Sequence, residues 1–99
     1  MPSVLSEDEL HAALARLPGW AIEAGVLVKS YPFSAYMSGI AFVGRLAAKA
    51  EAANHHPDLH ISWRKVRVEL STHSAGGITA LDVELALVVD ALAAEESEA

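Results

Sequence analysis

Apolar residues recur along this chain first at helical spacing, then in alternation, and the whole cycle repeats once before a last helical stretch. Leu10, Ala13, Leu14 and Leu17 mark one helix face. Ser6-Glu7-Asp8-Glu9 precedes them as a capping box, in which Ser6 and Glu9 each bond the other's backbone. Pro18-Gly19 stops that run. Trp20 and Ile22 then alternate with smaller or polar residues, Ala24-Gly25 reads as a turn, and Val26 to Tyr31 completes a hairpin. Pro32 ends the second strand, and Ser34 is the candidate N-cap of a long helix from Ala35 to about His55. Met37, Ile40, Phe42, Val43, Leu46, Ala47 and Ala50 spread over more than half of its circumference and leave a narrow stripe for Arg45 and Lys49. So broadly apolar a helix is covered on two sides, either as the centre of the fold or as a subunit interface.

Pro57 requires the long helix to stop, because the residue before a proline avoids the α region. That places His55 near the last helical residue and His56 in extended chain. Leu59, Ile61 and Trp63 alternate with His60 and Ser62 as a third strand, with Trp63 read as a core aromatic. Arg64-Lys65 fits a tight reversal, and Val66, Val68, Leu70 and Thr72 alternate with Arg67, Glu69 and Ser71 as a fourth strand. After a loop, Ser74-Ala75-Gly76-Gly77, the pair Thr79 and Asp82 resembles a second capping box, and Leu81, Leu85, Val88, Val89 and Leu92 form the stripe of the last helix. The order is αββαββα. Strands with one apolar and one polar face suit an α+β fold: a four-stranded antiparallel sheet with three helices packed on one face.

Composition narrows the function classes. Residues 1–99 read as one domain, and an apolar fraction of 53% allows a real core, though much of it is alanine, which buries little area. Oligomerisation would supply further burial. The absence of cysteine excludes disulfides, thiolate metal sites and cysteine nucleophiles together. No signal peptide or membrane-length apolar run is visible, so a cytoplasmic setting is expected. A net charge of −6 argues against nucleic acid as the main partner. Part of that charge is the tail, Glu95, Glu96 and Glu98, which is expected to fray into solvent.

Four of the five histidines lie between positions 55 and 73. Histidine both gives and takes protons near neutral pH. Glu51 precedes His55 by one helical turn, so a carboxylate would share a face with that ring and hold its tautomer. A hairpin of the third and fourth strands brings His73 near His55 and His56 by topology alone. His11 and His60 read as exposed side chains without a role. A metal site fits poorly: Pro57 breaks the helix between His56 and His60, and no His-Glu-x-x-His is present. No serine stands in a recognisable strained turn. General acid–base chemistry on a small molecule uses every residue of the cluster.

Taken together, Glu51-x-x-x-His55-His56-Pro57, the aromatic Trp63, His73 and Asp82 resemble the pterin-4a-carbinolamine dehydratase family. The run from Ser71 to Asp82 is similar to that family's strand-loop-helix signature. The resemblance implies loss of water from a 4a-hydroxytetrahydropterin to give the quinonoid dihydropterin, without metal or cofactor. It implies His55 and His73 as the acid–base pair, His56 as the histidine that orients the pterin, and Glu51 as a carboxylate steadying the cluster. Asp82, Pro57 and Trp63 are supporting positions, with tryptophan standing where the family often has tyrosine. It also implies homodimers or homotetramers, commonly through the long second helix. The alternative is a binding module, since animal relatives act as dimerisation cofactors of a homeodomain protein, and Phe42 and Leu46 would then carry the interaction.

Overall fold

The computed structural model describes residues 3–98. Helices and strands follow in the order α1 Glu7–Leu14, β1 Ala21–Glu23, β2 Val26–Pro32, α2 Tyr36–Ala53, β3 Asp58–Ser62, β4 Lys65–Leu70 and α3 Ala80–Glu98. The sheet is antiparallel throughout, with spatial order β1-β2-β4-β3. This is the α+β architecture expected from the alternation of periods. The register sets Leu27 opposite Leu70, Tyr31 opposite Val66, and Leu59 opposite Val68, so one face is apolar along the two central strands. Phe42 and Leu46 of α2, Val83, Ala86 and Val89 of α3, and Ala13 at the end of α1 close over that face in one core cluster. The Phe42 ring sits between those of Tyr31 and Phe33, with centroids 5.4 and 5.2 Å away. The opposite face carries His60, Arg67 and Glu69, where Glu69 accepts from Arg67 and pairs with His60.

Local chemistry sets several boundaries as expected. Ser6 and Glu9 form the complete capping box of α1. Ala24 and Gly25 both take positive φ in the β1–β2 turn. Other boundaries differ. The residue before α2 is Ala35, with no side-chain cap, and Ser34 instead offers its carbonyl to Arg64. The start of α2 is held by aromatic packing of Phe33 and Phe42 rather than by a hydroxyl. At its other end, α2 stops at Ala53, because Asn54 enters the left-handed region at φ 51°. The Asn54 N–H bonds the Glu51 carbonyl, and the His55 N–H reaches back to that of Ala50, so this is a Schellman ending with asparagine in the place of glycine.

Three further expectations are corrected. Trp63 is not in the core: it is 72% exposed, in the β3–β4 turn, with φ 40°. Alternation fails there because the strand ends at Ser62. The acidic tail does not fray, since α3 runs to Glu98 and Arg45 of α2 binds both Glu95 and Glu96. Phe42 and Leu46 are fully buried within the chain, so neither is a free contact surface.

A single carboxylate anchors the middle of α3. Asp90 Oδ1 accepts from Trp20 Nε1 at 3.1 Å, from Lys29 Nζ at 2.9 Å, and from the Tyr31 hydroxyl. Lys29 also donates to the Pro18 carbonyl and passes close over Gly19, where an added Cβ would lie 3.0 Å from Lys29 Cε. Gly19 has φ 86°, so both backbone and space ask for glycine there. Burial, then the hydrogen bond to Asp90 and its negative charge, push the Tyr31 phenol well above its ordinary range. A raised phenol pKa stabilises the fold below the unfolded value, about 10, and that contribution is lost as pH rises further. Tyr31→Phe is therefore expected to cost about 1–3 kcal/mol at neutral pH. It should also flatten the alkaline loss of stability, as read from urea denaturation across that range.

Candidate active site

The left-handed Asn54 decides where two histidine rings go. Had α2 continued to His55, Glu51 and His55 would have shared a face. Because it ends two residues earlier, His55 turns back toward α3, and His56 is the ring that meets Glu51, with Nε2 2.7 Å from Oε1. The His56–Glu51 pair is largely exposed, at 56% and 80% of the side chains. An ion pair so open to water adds little stability, though it can bias the ring's orientation.

His55 lies instead against Asp82, with Nε2 2.6 Å from Oδ1, and its side chain is only 11% exposed. Asp82 is completely buried. It stands at the third residue of α3, where the free N–H groups of the first turn favour a negative charge. Its second oxygen, Oδ2, accepts from the Thr79 N–H at 2.9 Å and from the Thr72 hydroxyl at 2.8 Å. Thr72 in turn accepts from the Thr79 hydroxyl at 2.8 Å, and Thr79 Oγ1 accepts from the Leu81 N–H. Each donor in this chain has one acceptor, and no buried side-chain polar atom among the described residues is left without a partner. The expected capping box is thus half realised: the carboxylate caps Thr79, while the threonine hydroxyl serves Leu81 and Thr72. Nothing in the local pattern marks Thr72 as a buried partner, although its spacing after Leu70 places it on the helix-facing side.

A carboxylate only accepts, so with Asp82 in that form His55 Nε2 is the donor in this contact and Nδ1 is the nitrogen left to exchange a proton. His73 arrives from another direction. After β4, Thr72 and Gly77 pair as an isolated bridge, and residues 73–76 form a tight turn between them, with Gly76 at φ 81°. His73 is the first residue of that turn and is exposed. The β3–β4 register, with Asp58 opposite Glu69, carries the chain before β3 toward the chain after β4. The outcome is one open cleft of about 340 Å³ lined by Asn54, His55, His56, Pro57, Asp58, Ser71, Thr72, His73 and Ser74.

Of the residues singled out from sequence, His55, His56, Pro57 and His73 line this cleft, Glu51 touches it through His56, and Asp82 supports it from below. Trp63 lies at the other end of β3 and is not part of it. His55 also borders a second, apolar depression of about 410 Å³ between α2 and α3, walled by Ala52, Ala53, Leu81, Leu85 and Val88. Among the described residues, no three His, Asp or Glu side chains stand close enough to hold a metal ion.

Removing Asp82 would strip partners from a backbone N–H, a buried hydroxyl and the His55 ring at once. Asp82→Ala is expected to destabilise the fold by about 3–5 kcal/mol, the range for breaking a buried ion pair. Asp82→Asn keeps one acceptor oxygen and should cost less; urea denaturation of the two variants measures both.

The chain is similar to known proteins along most of its length. The family model described as Pterin 4 alpha carbinolamine dehydratase matches residues 3–92. A protein of Mycobacteroides abscessus, provisionally named pterin-4-alpha-carbinolamine dehydratase, is 48% identical over 88 residues, covering 89% of this chain and 94% of its own. A protein of Thermosynechococcus vestitus with the same provisional name is 47% identical, covering 94% and 98%. Among solved structures, a transcriptional coactivator/pterin dehydratase from Brucella melitensis superposes with a TM-score of 0.89 at 32% identity, over 92% of this chain and 99% of its own. A pterin dehydratase-like protein identified as a RuBisCO assembly factor in the alpha-carboxysome superposes with a TM-score of 0.62 at 28% identity, over 75% and 86%. With the match running through nearly the whole chain, the protein belongs to the pterin-4-alpha-carbinolamine dehydratase family.

Proposed function

We propose that this protein removes water from a 4a-hydroxytetrahydropterin to give the quinonoid dihydropterin, in support of tetrahydrobiopterin recycling. The observation that carries the proposal is the convergence of His55, His56 and His73 on one cleft, with His55 held in one tautomer by a buried carboxylate. The reaction breaks the bond from C4a to its hydroxyl oxygen, and the departing hydroxyl takes a proton from an acid to leave as water. A base removes the proton of the neighbouring N5, and the freed electron pair forms the C4a–N5 double bond. His55 and His73 supply this acid–base pair. His55 does so through Nδ1, since Nε2 is engaged with Asp82. The proton gained by one ring equals the proton lost by the other, so no cofactor is consumed, and exchange with water returns both rings to their starting states.

His56 and Glu51 orient the substrate from the open side of the cleft, and Pro57 fixes the heading of His56. Asp82 acts through His55 and is a positioning residue. We place the reaction in the cytoplasm, consistent with a chain that has no cysteine.

A binding-module reading draws on the two solved relatives, one described as a coactivator and the other as an assembly factor. A module of that kind has no need of a histidine cleft, so the enzyme reading takes precedence. The proposed assembly is a homodimer or homotetramer through α2. Ala41, Gly44 and Ala48 lie along one exposed side of that helix, smooth enough for close approach of a second copy.

His73→Ala tests the chemistry, because its exposed ring holds nothing else in place. The variant is expected to keep its melting temperature and to lose at least about a hundredfold in dehydration rate, measured by stopped flow on enzymatically generated 4a-hydroxytetrahydrobiopterin. Full turnover by the folded variant would refute the acid–base assignment. Ala48→Glu should lower the mass seen by light scattering if α2 is the assembly face, and an unchanged mass would remove that helix from the interface.

A further inference from the structure

The end of the fold opposite the histidine cleft carries an unusual concentration of exposed aromatic and cationic groups. Trp63 is 72% exposed, and its backbone sits in the left-handed region, which a bulky residue adopts only under strain. Water favours neither feature: a buried tryptophan or a glycine at this turn would each be more comfortable. Arg64 stacks on the Trp63 ring, its guanidinium carbon 4.1 Å from the centroid, which keeps the indole extended as a flat platform. Among the described residues, the Arg64 guanidinium donates only to the Ser34 carbonyl, at 3.4 Å. Among the described residues, Arg45, Arg67 and Lys29 are paired with carboxylates, whereas Arg16, Lys49, Arg64 and Lys65 are not, and of these only Arg64 and Lys65 are neighbours in the chain. Trp63, Arg64 and Lys65 line an open depression with Pro32, Phe33 and Ser62, and Ile61, 44% exposed, precedes it on β3. The link from Phe33 N–H to the Arg64 carbonyl ties these segments together.

We infer that this end of the molecule is a docking surface for an acidic peptide segment of another protein that also carries an aromatic or aliphatic side chain. The unpaired Arg64 and Lys65 select the negative charge. The Trp63 face and Ile61 take the apolar side chain. A second copy meeting the same patch across a two-fold axis would set these cations against each other, so charge opposes self-association here. Because the patch lies a whole β3 length from Asp58, the occupant would leave the histidine cleft open.

Trp63 and Trp20 are the chain's two tryptophans, and Trp20 is only 6% exposed, so quenching of fluorescence by acrylamide reports on Trp63. The probe is a short labelled peptide with glutamates around one phenylalanine and one leucine. Two controls replace the apolar pair with serines or the glutamates with lysines. Expected are protection of Trp63 by the first peptide alone, and weaker binding as salt is raised. Trp63→Gly should lose more than about tenfold in affinity by anisotropy, as removal of a central aromatic anchor does. Its melting temperature should equal or exceed that of the parent, because glycine relieves the left-handed backbone; a merely structural tryptophan would give the reverse. Arg64→Glu with Lys65→Glu should abolish binding and leave the fold intact. Equal binding of all three peptides, or none, would overturn the inference. So would preferential binding of a single-stranded oligonucleotide, or Trp63 protection that depends on protein concentration alone.

Discussion

A buried carboxylate at the start of α3 is the constraint around which the site is organised. Taking Asp82 out of water is costly, and the cost is offset only because every lone pair that matters is engaged. One oxygen gathers Thr79 and Thr72, which fastens the helix to the end of β4; the other holds His55, which fastens it to the end of α2. The end of α2, 27 positions before Asp82, is thereby brought to the same point as the end of β4 and the start of α3. The same contact that secures the helix start also fixes the tautomer of a candidate proton-transfer group. Stability and chemistry are not separable at this residue.

A second carboxylate does related work farther along α3. Asp90 collects an indole, an ammonium and a phenol, each from the first hairpin or the chain leading into it. The last helix is therefore pinned at two places eight positions apart, once to the second hairpin and once to the first. Between the two anchors its Val83, Ala86 and Val89 face the apolar side of the sheet. The arrangement explains how a chain rich in small side chains holds its layers in register. Apolar contact supplies most of the burial, and two polar hubs supply direction.

Features governed by near neighbours were legible in the sequence. The Ser6–Glu9 box, the two hairpins, the element order and the clustering of histidines all follow from periodicity and turn chemistry within a few residues. Features governed by distant groups were not. Asn54 can adopt the left-handed ending but does not announce it, and Pro57 two residues after His55 draws attention as the more obvious stop. That displacement exchanged the partners of His55 and His56. Trp63 reads as core by alternation because nothing local reveals that the strand ends one residue earlier. Arg45 gives no sign in sequence of meeting Glu95 and Glu96, fifty positions away, so the acidic tail looked free. The family resemblance, by contrast, rested on spacings that tertiary structure does not alter.

The division of labour between Asp82 and His73 has an evolutionary corollary. Asp82 holds up the helix start, so a descendant that abandoned catalysis for another trade would still be obliged to keep it. His73 projects from a surface turn, and its side chain supports no other part of the described structure. It can drift once selection for turnover is relaxed, at no expense to folding. In a lineage where one scaffold has taken up several occupations, the retained aspartate records only ancestry. On the proposed mechanism, the exposed histidine is the residue whose presence would tell a working enzyme from a retired one.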